Sequence, residues 1–203
     1  KIFYNGFIFS FALLSIYFLF MFLCGWVDSF DYIKVSTLLN AIFLIVGIVL
    51  AEEIIFRGWL LQEMFLLFGF RNAIIFQCLI FSLAHYRSDI GLLALIPFMT
   101  GLFLLGIVLT LRRTIDRGSL LGCIGLHGGL VAIWYLFDSG MVSFSIDTPY
   151  FLLGPSKNMV NPIGSVIGIT ILLITVFFQR RLFARTGRFL ASTVNASFKD
   201  DTP

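Results

Sequence analysis

The stretch LNAIFLIVGIVLAEEIIFRGWLLQEMFLLFGF, residues 39–70, carries two adjacent glutamates and an arginine inside an otherwise apolar run. Its length and hydrophobicity predict a helix in a lipid bilayer, with Glu52 and Glu53 deep inside it and Arg57 one turn further on. A carboxylate at the centre of a bilayer costs roughly 2.5–3.5 kcal/mol on insertion scales. Chains rarely keep such a residue without a use, so this stretch is a candidate functional site.

The composition of the whole chain favours a membrane protein. Its 203 residues are 59% hydrophobic and only 12% charged, and the mean hydropathy is +1.00. A soluble domain carries about 25% charged residues. The three cysteines fall in apolar stretches without the spacing of a zinc site or a disulfide framework. We therefore predict an all-α, polytopic transmembrane helix bundle, and we expect no nucleic-acid partner.

Apolar runs of about 20 residues, the length needed to cross a bilayer, define the domain organisation. We predict about six spans, at 3–27, 36–61, 68–86, 90–111, 118–137 and 160–179. Residues 1–37 then form a first transmembrane helix and an external loop, and 38–137 form a core that holds the buried polar residues. Residues 138–203 form an external loop, a last transmembrane helix and a basic tail.

Basic residues predict the orientation of the spans. They concentrate near Lys1, Arg71, 112–117 and the tail 180–199. By the positive-inside rule both termini face the cytoplasm, which agrees with an even number of spans. We expect a multi-pass integral membrane protein, in the plasma membrane of a prokaryote. The tail is predicted to be a topology anchor rather than a segment that lies along an anionic membrane surface.

Helical geometry gives the two glutamates different roles. Residues four apart share a helix face, so Glu53 and Arg57 are predicted to pair and neutralise each other. Residues five apart diverge by about 140°, which leaves Glu52 without that partner. We therefore predict that Glu53 belongs to a structural ion pair and that Glu52 is a free acid suited to general acid or base chemistry.

The two histidines of the sequence also fall within or at the end of predicted spans. His85 lies near the end of FQCLIFSLAHY, one turn after Phe81, and His127 lies among glycines in LLGCIGLHGGLVAIWY. An imidazole in hydrocarbon needs a polar partner, and Glu52 is the best unpaired candidate. The plain alternative is that these polar side chains only hold helices together. One difficulty is that the topology places His85 near the external end of its span and Glu52 near mid-membrane.

The ordered set Glu-Glu-x-x-x-Arg at 52–57, Phe-x-x-x-His at 81–85 and a later histidine at 127 resembles the CPBP family. This is the CAAX protease and bacteriocin-processing (Abi) family, which includes proteins similar to the type 2 CAAX prenyl endopeptidase. The resemblance covers about residues 38–137, which would be the protease core. It implies an intramembrane endopeptidase that hydrolyses a peptide bond of a membrane-associated protein or peptide within the lipid bilayer.

The resemblance also implies roles for individual residues. Glu52 would activate water, His85 would assist it, and His127 would help to stabilise the oxyanion. The implied supporting residues are Glu53, Arg57 and Phe81. In the family, His127 corresponds to the start of a His-x-x-x-Asn element, but here the last position is Val131. A donor of that type is worth roughly 2.7–4 kcal/mol, and a backbone N–H of the glycines after His127 is one candidate substitute.

A zinc-dependent endopeptidase is the alternative within the same chemistry. One carboxylate and two imidazoles, here Glu52, His85 and His127, make three ligands for a catalytic zinc. However, the sequence lacks His-Glu-x-x-His and indicates no acid that would orient either imidazole. We therefore favour a mechanism without a metal or any other cofactor.

Two functions without proteolysis are also open at this stage. Val131 in place of asparagine suits a non-catalytic membrane scaffold or a bacteriocin-immunity module of the same architecture. Intramembrane glutamate and histidine also serve in small transporters and proton relays. Against a transporter stands the lack of inverted repeats or paired discontinuous helices.

Overall fold

The computed structural model describes residues 1–156 and 159–179, and this part of the chain is almost entirely helical. The predicted all-α bundle is confirmed, with one small two-stranded sheet added to it. The helices are α1 (Ile2–Leu23), α2 (Val35–Phe43), α3 (Leu50–Glu52), α4 (Leu61–Ala84), α5 (Leu92–Ile115), α6 (Leu121–Leu136), α7 (Tyr150–Leu153) and α8 (Val166–Gln179). Three π-helical stretches interrupt or extend them: π1 (Leu44–Val49), π2 (Glu53–Leu60) and π3 (Phe137–Met141).

The continuous stretch from α2 to α4 folds back on itself at Gly69. Gly69 has φ 72° and ψ 170°, a non-helical conformation inside α4. This region of backbone space is open essentially to glycine alone. The rings of Phe56 and Phe81, on opposite sides of the turn, meet edge to face with their centroids 5.1 Å apart. The two arms therefore pack as an antiparallel helical hairpin.

The hairpin brings Glu52 and His85 to the same depth. Glu52 lies 17 residues before Gly69, and His85 lies 16 residues after it. At 1.5 Å of rise per residue, both positions are about 25 Å along their arms from the turn. The difficulty over their relative depth therefore disappears, because the first arm continues to Phe68 instead of ending near residue 61.

Within residues 1–156 and 159–179, four helical stretches are long and apolar enough to cross a membrane: Ile2–Leu23, Val35–Ala84, Leu92–Ile115 and Leu121–Met141. The second of these contains both arms of the hairpin, which the sequence presented as two spans. The six predicted spans therefore correspond to six helical segments. Of these, the arm after Gly69 and α8 are shorter than the roughly 20 residues that a full crossing needs. Such lengths and compositions are those of an integral membrane protein.

Helix α1 lies against α6 in close backbone contact. A Cβ added to Gly125 would overlap the carbonyl oxygen of Phe3, so only glycine permits this approach. Further along, the rings of Tyr17 and Trp134 meet edge to face with centroids 6.1 Å apart. Both contacts advance in the same direction along the two helices, so α1 and α6 run parallel.

Helix α5 packs between the hairpin and α6. The Ser82 hydroxyl on α4 donates to the Met99 carbonyl oxygen at 2.9 Å, and the Cys123 thiol on α6 donates to the Leu109 carbonyl oxygen at 3.2 Å. The buried apolar core around α5 consists of Leu13, Phe81, Phe98, Leu102, Leu104, Leu105, Val108, Leu109, Cys123, Leu126 and Leu172. Phe81 belongs to this core and lies one turn before His85, so the core reaches the polar residues.

The first predicted span ends earlier than expected. Helix α1 stops at Leu23, not at residue 27, because Gly25 adopts φ 72° and the chain then turns into strand β1 (Val27–Phe30). This strand pairs antiparallel with β2 (Val142–Phe144). Short apolar strands adjacent to long apolar helices carry no distinct sequence signal, which is why the strand was missed.

The last predicted span begins later than expected. Pro162–Gly164 form a 3₁₀ turn capped by the Asn161 side chain, and α8 starts only at Val166 rather than at residue 160. The basic tail, predicted to anchor the topology, lies outside the described residues. The cytoplasmic orientation of both termini stays a prediction.

Replacing Gly69 with alanine is expected to destabilise the hairpin by about 1–3 kcal/mol, because a Cβ is strained at this φ and ψ. No other atom lies within 4 Å of that Cβ, so the cost comes from the backbone alone. Thermal unfolding in detergent measures it. Gly47→Ala, on the same hairpin with helical backbone and equally open space, is the matched control. Equal melting temperatures for the two variants would contradict the role of the turn.

Candidate active site

The π-helical stretch π2 carries Glu53 and Arg57, and its register frees one carbonyl group. The Leu61 N–H bonds to the Phe56 carbonyl oxygen, five residues back, and not to that of Arg57, four residues back. The Arg113 guanidinium, from the end of α5, donates to the Arg57 carbonyl oxygen instead. Arg113 therefore supplies the bond that the π register removes. No helical spacing in the sequence links these positions.

Glu53 and Arg57 form the predicted ion pair. Arg57 Nη1 lies 3.0 Å from Glu53 Oε1, and both side chains are 0% exposed. The Arg57 guanidinium also stacks over the Phe81 ring, 4.0 Å from its centroid. A buried charge pair is stable only when further contacts compensate for the loss of water, and the ring provides one of them.

Glu53 has a second partner, which the sequence did not indicate. His127 Nδ1 lies 2.7 Å from Glu53 Oε1, the same oxygen that accepts from Arg57. The expectation that no acid orients either histidine is therefore wrong for His127. The two residues are 74 positions apart on different helices, so no spacing rule could have found the pair.

His85 is oriented by its own helix. Its Nδ1 lies 2.8 Å from the Phe81 carbonyl oxygen, and a carbonyl only accepts, so Nδ1 carries a proton. The Phe81 ring packs edge to face against the imidazole, with centroids 4.7 Å apart. The other ring nitrogen, Nε2, is thereby directed at Glu52.

Glu52 lies between the two imidazoles. Its Oε1 is 3.5 Å from His85 Nε2, and its Oε2 is 3.8 Å from His127 Nε2. Because each histidine donates through Nδ1, Nε2 is the ring nitrogen that faces the carboxylate. A proton on Nε2 or a water molecule between the groups would connect Glu52 to either ring. This is an arrangement that can bind water and move its proton.

The loop after His85 carries an ion pair of its own. In the exposed turn after α4, Arg87 Nε and Nη2 donate to the two Asp89 oxygens at 2.9 and 2.6 Å. This hydrogen-bonded pair holds the pKa of Asp89 at about 2, below its ordinary value. Asp89 is therefore ionised at neutral pH and engaged by Arg87.

Both histidines lie on the wall of a cavity of about 310 Å³. Most of the wall is apolar and comes from α1, α5, α6 and α8. Its members include Leu13, Leu14, Tyr17, Phe98, Leu102, Leu105, Leu130, Val131, Trp134 and Leu172. Three further polar side chains, Tyr135, Asp138 and Asn161, complete it. A mostly apolar cavity with a few polar groups is typical of a ligand site.

The structure brings together all six residues that the sequence selected, namely Glu52, Glu53, Arg57, Phe81, His85 and His127. Their catalytic and supporting roles stay predictions. In the described part of the chain, no group of three or more His, Cys, Asp or Glu side chains is arranged to hold a metal ion. The choice between a metal-free and a zinc-dependent site stays open to measurement.

The glycines after His127 do not supply a free backbone donor. Gly128 and Gly129 lie in the middle of α6, where main-chain N–H groups bond within the helix. A Cβ on Gly128 would contact Ile45, and one on Gly129 would overlap the Ser10 hydroxyl of α1. These glycines therefore serve helix packing, and the expectation that they replace the missing asparagine is wrong.

Comparison with known proteins gives one match. The family model described as type II CAAX prenyl endopeptidase, Rce1-like, matches residues 34–133. No curated protein and no solved structure matches the chain. The matched range contains the hairpin, the three polar motifs and Val131, and it ends before Asn161.

Replacing Arg113 with methionine is expected to destabilise π2, because the Arg57 carbonyl oxygen loses its donor, at a cost of about 1.5–3 kcal/mol. Hydrogen–deuterium exchange of a peptide that covers residues 53–65 should become faster in this variant. Arg112→Met is the matched control, since Arg112 pairs with Asp116 at 2.7 and 2.8 Å and, among the described residues, makes no hydrogen bond to π2. Unchanged exchange in Arg113→Met would contradict this role.

Proposed function

Residues 34–133 make this chain a member of the Rce1-like type II CAAX prenyl endopeptidase family, and from that membership we propose that it is an intramembrane endopeptidase. Peptide hydrolysis is the general activity that membership supports. The observation that carries the proposal is the position of Glu52, whose two oxygens each face the Nε2 atom of a histidine on the cavity wall.

Glu52 acts as the general base. Its side chain is 21% exposed and that of His85 is 28% exposed, so neither is sealed inside the bundle, and the mechanism requires water at this exposed side. Glu52 removes a proton from a water molecule as the water oxygen attacks the carbonyl carbon of the peptide bond. The same proton is then delivered to the leaving nitrogen, the carbon–nitrogen bond breaks, and Glu52 is again ionised. The products are a new carboxylate end and a new amine end.

The two imidazoles position the water and balance its charge. His85 is fixed by the Phe81 carbonyl oxygen, and His127 is fixed by Glu53. Each ring therefore keeps Nε2 directed at Glu52 through the reaction, which limits reorganisation in the transition state. Glu53 and Arg57 do not touch the substrate in this mechanism; their ion pair holds His127 in place.

The substrate is a membrane-associated protein or peptide. The cavity beside the histidines is largely apolar, so an extended segment with apolar side chains, or one that carries a hydrocarbon chain, fits its chemistry. The family description names prenyl substrates, and a prenylated cysteine near the scissile bond is one such group. The bilayer is the second partner, because it delivers the substrate sideways to the bundle.

A zinc-dependent endopeptidase is the second candidate. The Nε2 atoms of the two histidines and the Glu52 carboxylate are donors of the kind that catalytic zinc uses, although the described residues do not hold them in a metal-binding arrangement. The three donors would be Glu52, His85 and His127, and a bound zinc would lower the pKa of a coordinated water. We favour the metal-free mechanism. Metal analysis of the purified protein decides, and one equivalent of zinc that is lost in His85→Ala and His127→Ala would establish the second candidate.

Glu52→Gln is expected to reduce cleavage about 100- to 10,000-fold, because the amide cannot accept the water proton. The assay uses the full chain in proteoliposomes with two internally quenched probes, a prenylated CAAX peptide and an unprenylated apolar peptide. Glu63→Gln is the matched control, since Glu63 is an exposed residue in the first turn of α4 and should keep wild-type rates. Full activity in Glu52→Gln would eliminate the proposal.

A non-catalytic role gives a different result in the same assay. The wild type and Glu52→Gln would then show the same rate with both probes, at the level of empty liposomes. A proton relay would show proton flux in the wild-type liposomes and none in Glu52→Gln. Hydrolysis that depends on Glu52 excludes a non-catalytic role. It also removes the need for a proton relay to explain the presence of Glu52 in the membrane.

A further inference from the structure

Attack of water on a peptide carbonyl places negative charge on its oxygen, and an N–H donor fixed beforehand at that position lowers the barrier. The N–H groups of the two imidazoles are already engaged. His85 Nδ1 donates to the Phe81 carbonyl oxygen, and His127 Nδ1 donates to Glu53. Val131, one turn after His127, offers no donor, and the glycines of α6 bond within their helix. The donor must come from another element.

Asn161 carries a carboxamide of this kind. Its Oδ1 accepts from the Ile163 N–H at 3.0 Å, which fixes the plane of the amide. No described residue accepts a hydrogen bond from its Nδ2. Asn161 lies on the wall of the same cavity as His85 and His127. One half of the amide is thus held by the 3₁₀ turn, and its N–H groups have no acceptor in the described part of the chain.

The packing of α5 places this turn at the depth of Val131. The Cys123 thiol bonds to the Leu109 carbonyl oxygen, which aligns α6 with α5 at that point. Gly101 lies eight residues before Leu109 on α5, and Val131 lies eight residues after Cys123 on α6. Because the two helices are antiparallel, both residues lie about 12 Å from the Cys123–Leu109 contact in the same direction. A Cβ on Gly101 would overlap the Ile163 carbonyl oxygen. The Asn161 turn therefore packs on α5 opposite Val131.

We propose that Asn161 is a catalytic residue whose Nδ2 donates a hydrogen bond to the oxyanion formed during peptide hydrolysis. This inference rests on the proposed endopeptidase function. The carbonyl oxygen gains the negative charge as the water oxygen bonds to carbon, and Asn161 shares a hydrogen with it without transferring a proton. When the intermediate collapses, the oxygen's electron pair re-forms the C=O double bond, and the electrons of the carbon–nitrogen bond leave with the protonated nitrogen. Asn161 lies outside the family match at 34–133, so this donor belongs to the present chain's own terminal segment.

The deciding variant is Asn161→Asp. Aspartate keeps an oxygen that accepts from the Ile163 N–H, so the turn is retained, but it has no N–H to donate. We expect kcat on the quenched probe that the wild type cleaves to fall about 100- to 1,000-fold, with KM and the melting temperature unchanged. Asn72→Asp, which adds the same charge on the exposed arm of the hairpin, is the control and should keep wild-type kcat.

A second pair of variants tests the position of the donor. Asn161→Ala removes both the cap and the N–H, and Val131→Asn restores an amide from the opposite side of the cavity. The double variant is expected to recover at least tenfold in kcat over Asn161→Ala, because a donor at either place reaches the same oxygen. The assignment would be overturned if the double variant recovered no activity. It would also be overturned if Asn161→Asp kept the wild-type kcat, or if its lower kcat were accompanied by a lower melting temperature.

Failure of this inference is distinguishable from failure of the proposed function. Wild-type activity that disappears in Glu52→Gln but persists in Asn161→Asp retains the endopeptidase and rejects the asparagine. If Glu52→Gln is as active as the wild type, the endopeptidase mechanism and the role of Asn161 fail together.

Discussion

The buried carboxylate of Glu53 is the interaction on which the site depends. One of its oxygens accepts from both Arg57 and His127. Glu53 thereby links the hairpin to α6 in the centre of the bundle. Removing either partner would leave an uncompensated charge in an environment without water, which typically costs several kcal/mol. The position of His127 therefore follows from how Glu53 is neutralised, whereas His85 is oriented by its own helix.

Two irregular stretches of backbone, π2 and the reversal at Gly69, help to position the residues of the site. The π register of π2 requires a donor from outside the helix, and Arg113 provides one from α5. The reversal at Gly69 makes the two arms of the hairpin meet at the level of Glu52. Irregular backbone in a membrane is tolerated where protein covers it, so both features are confined to packed or terminal parts of the bundle.

The features that the sequence predicted are those that depend on spacing within a single helix. Spacing within one helix was enough for the Glu53–Arg57 pair and for the separate position of Glu52, and hydropathy was enough for the helical segments. It could not predict contacts between elements far apart in the chain, such as Glu53 with His127 or Arg113 with the Arg57 carbonyl group. The 3₁₀ turn at Asn161 was hidden in a predicted span, because a short turn with apolar neighbours has no period of its own.

The walls of the cavity come from two sources. Helices α5 and α6 lie mainly within the family-matched range, whereas α1 and α8 lie outside it and contribute Leu13, Tyr17 and Leu172. The family-matched range and the helices that flank it therefore both shape the cavity. The close glycine contact between α1 and α6 leaves no room for larger residues along that seam, so the flanking helix α1 can vary mainly where its side chains face the cavity.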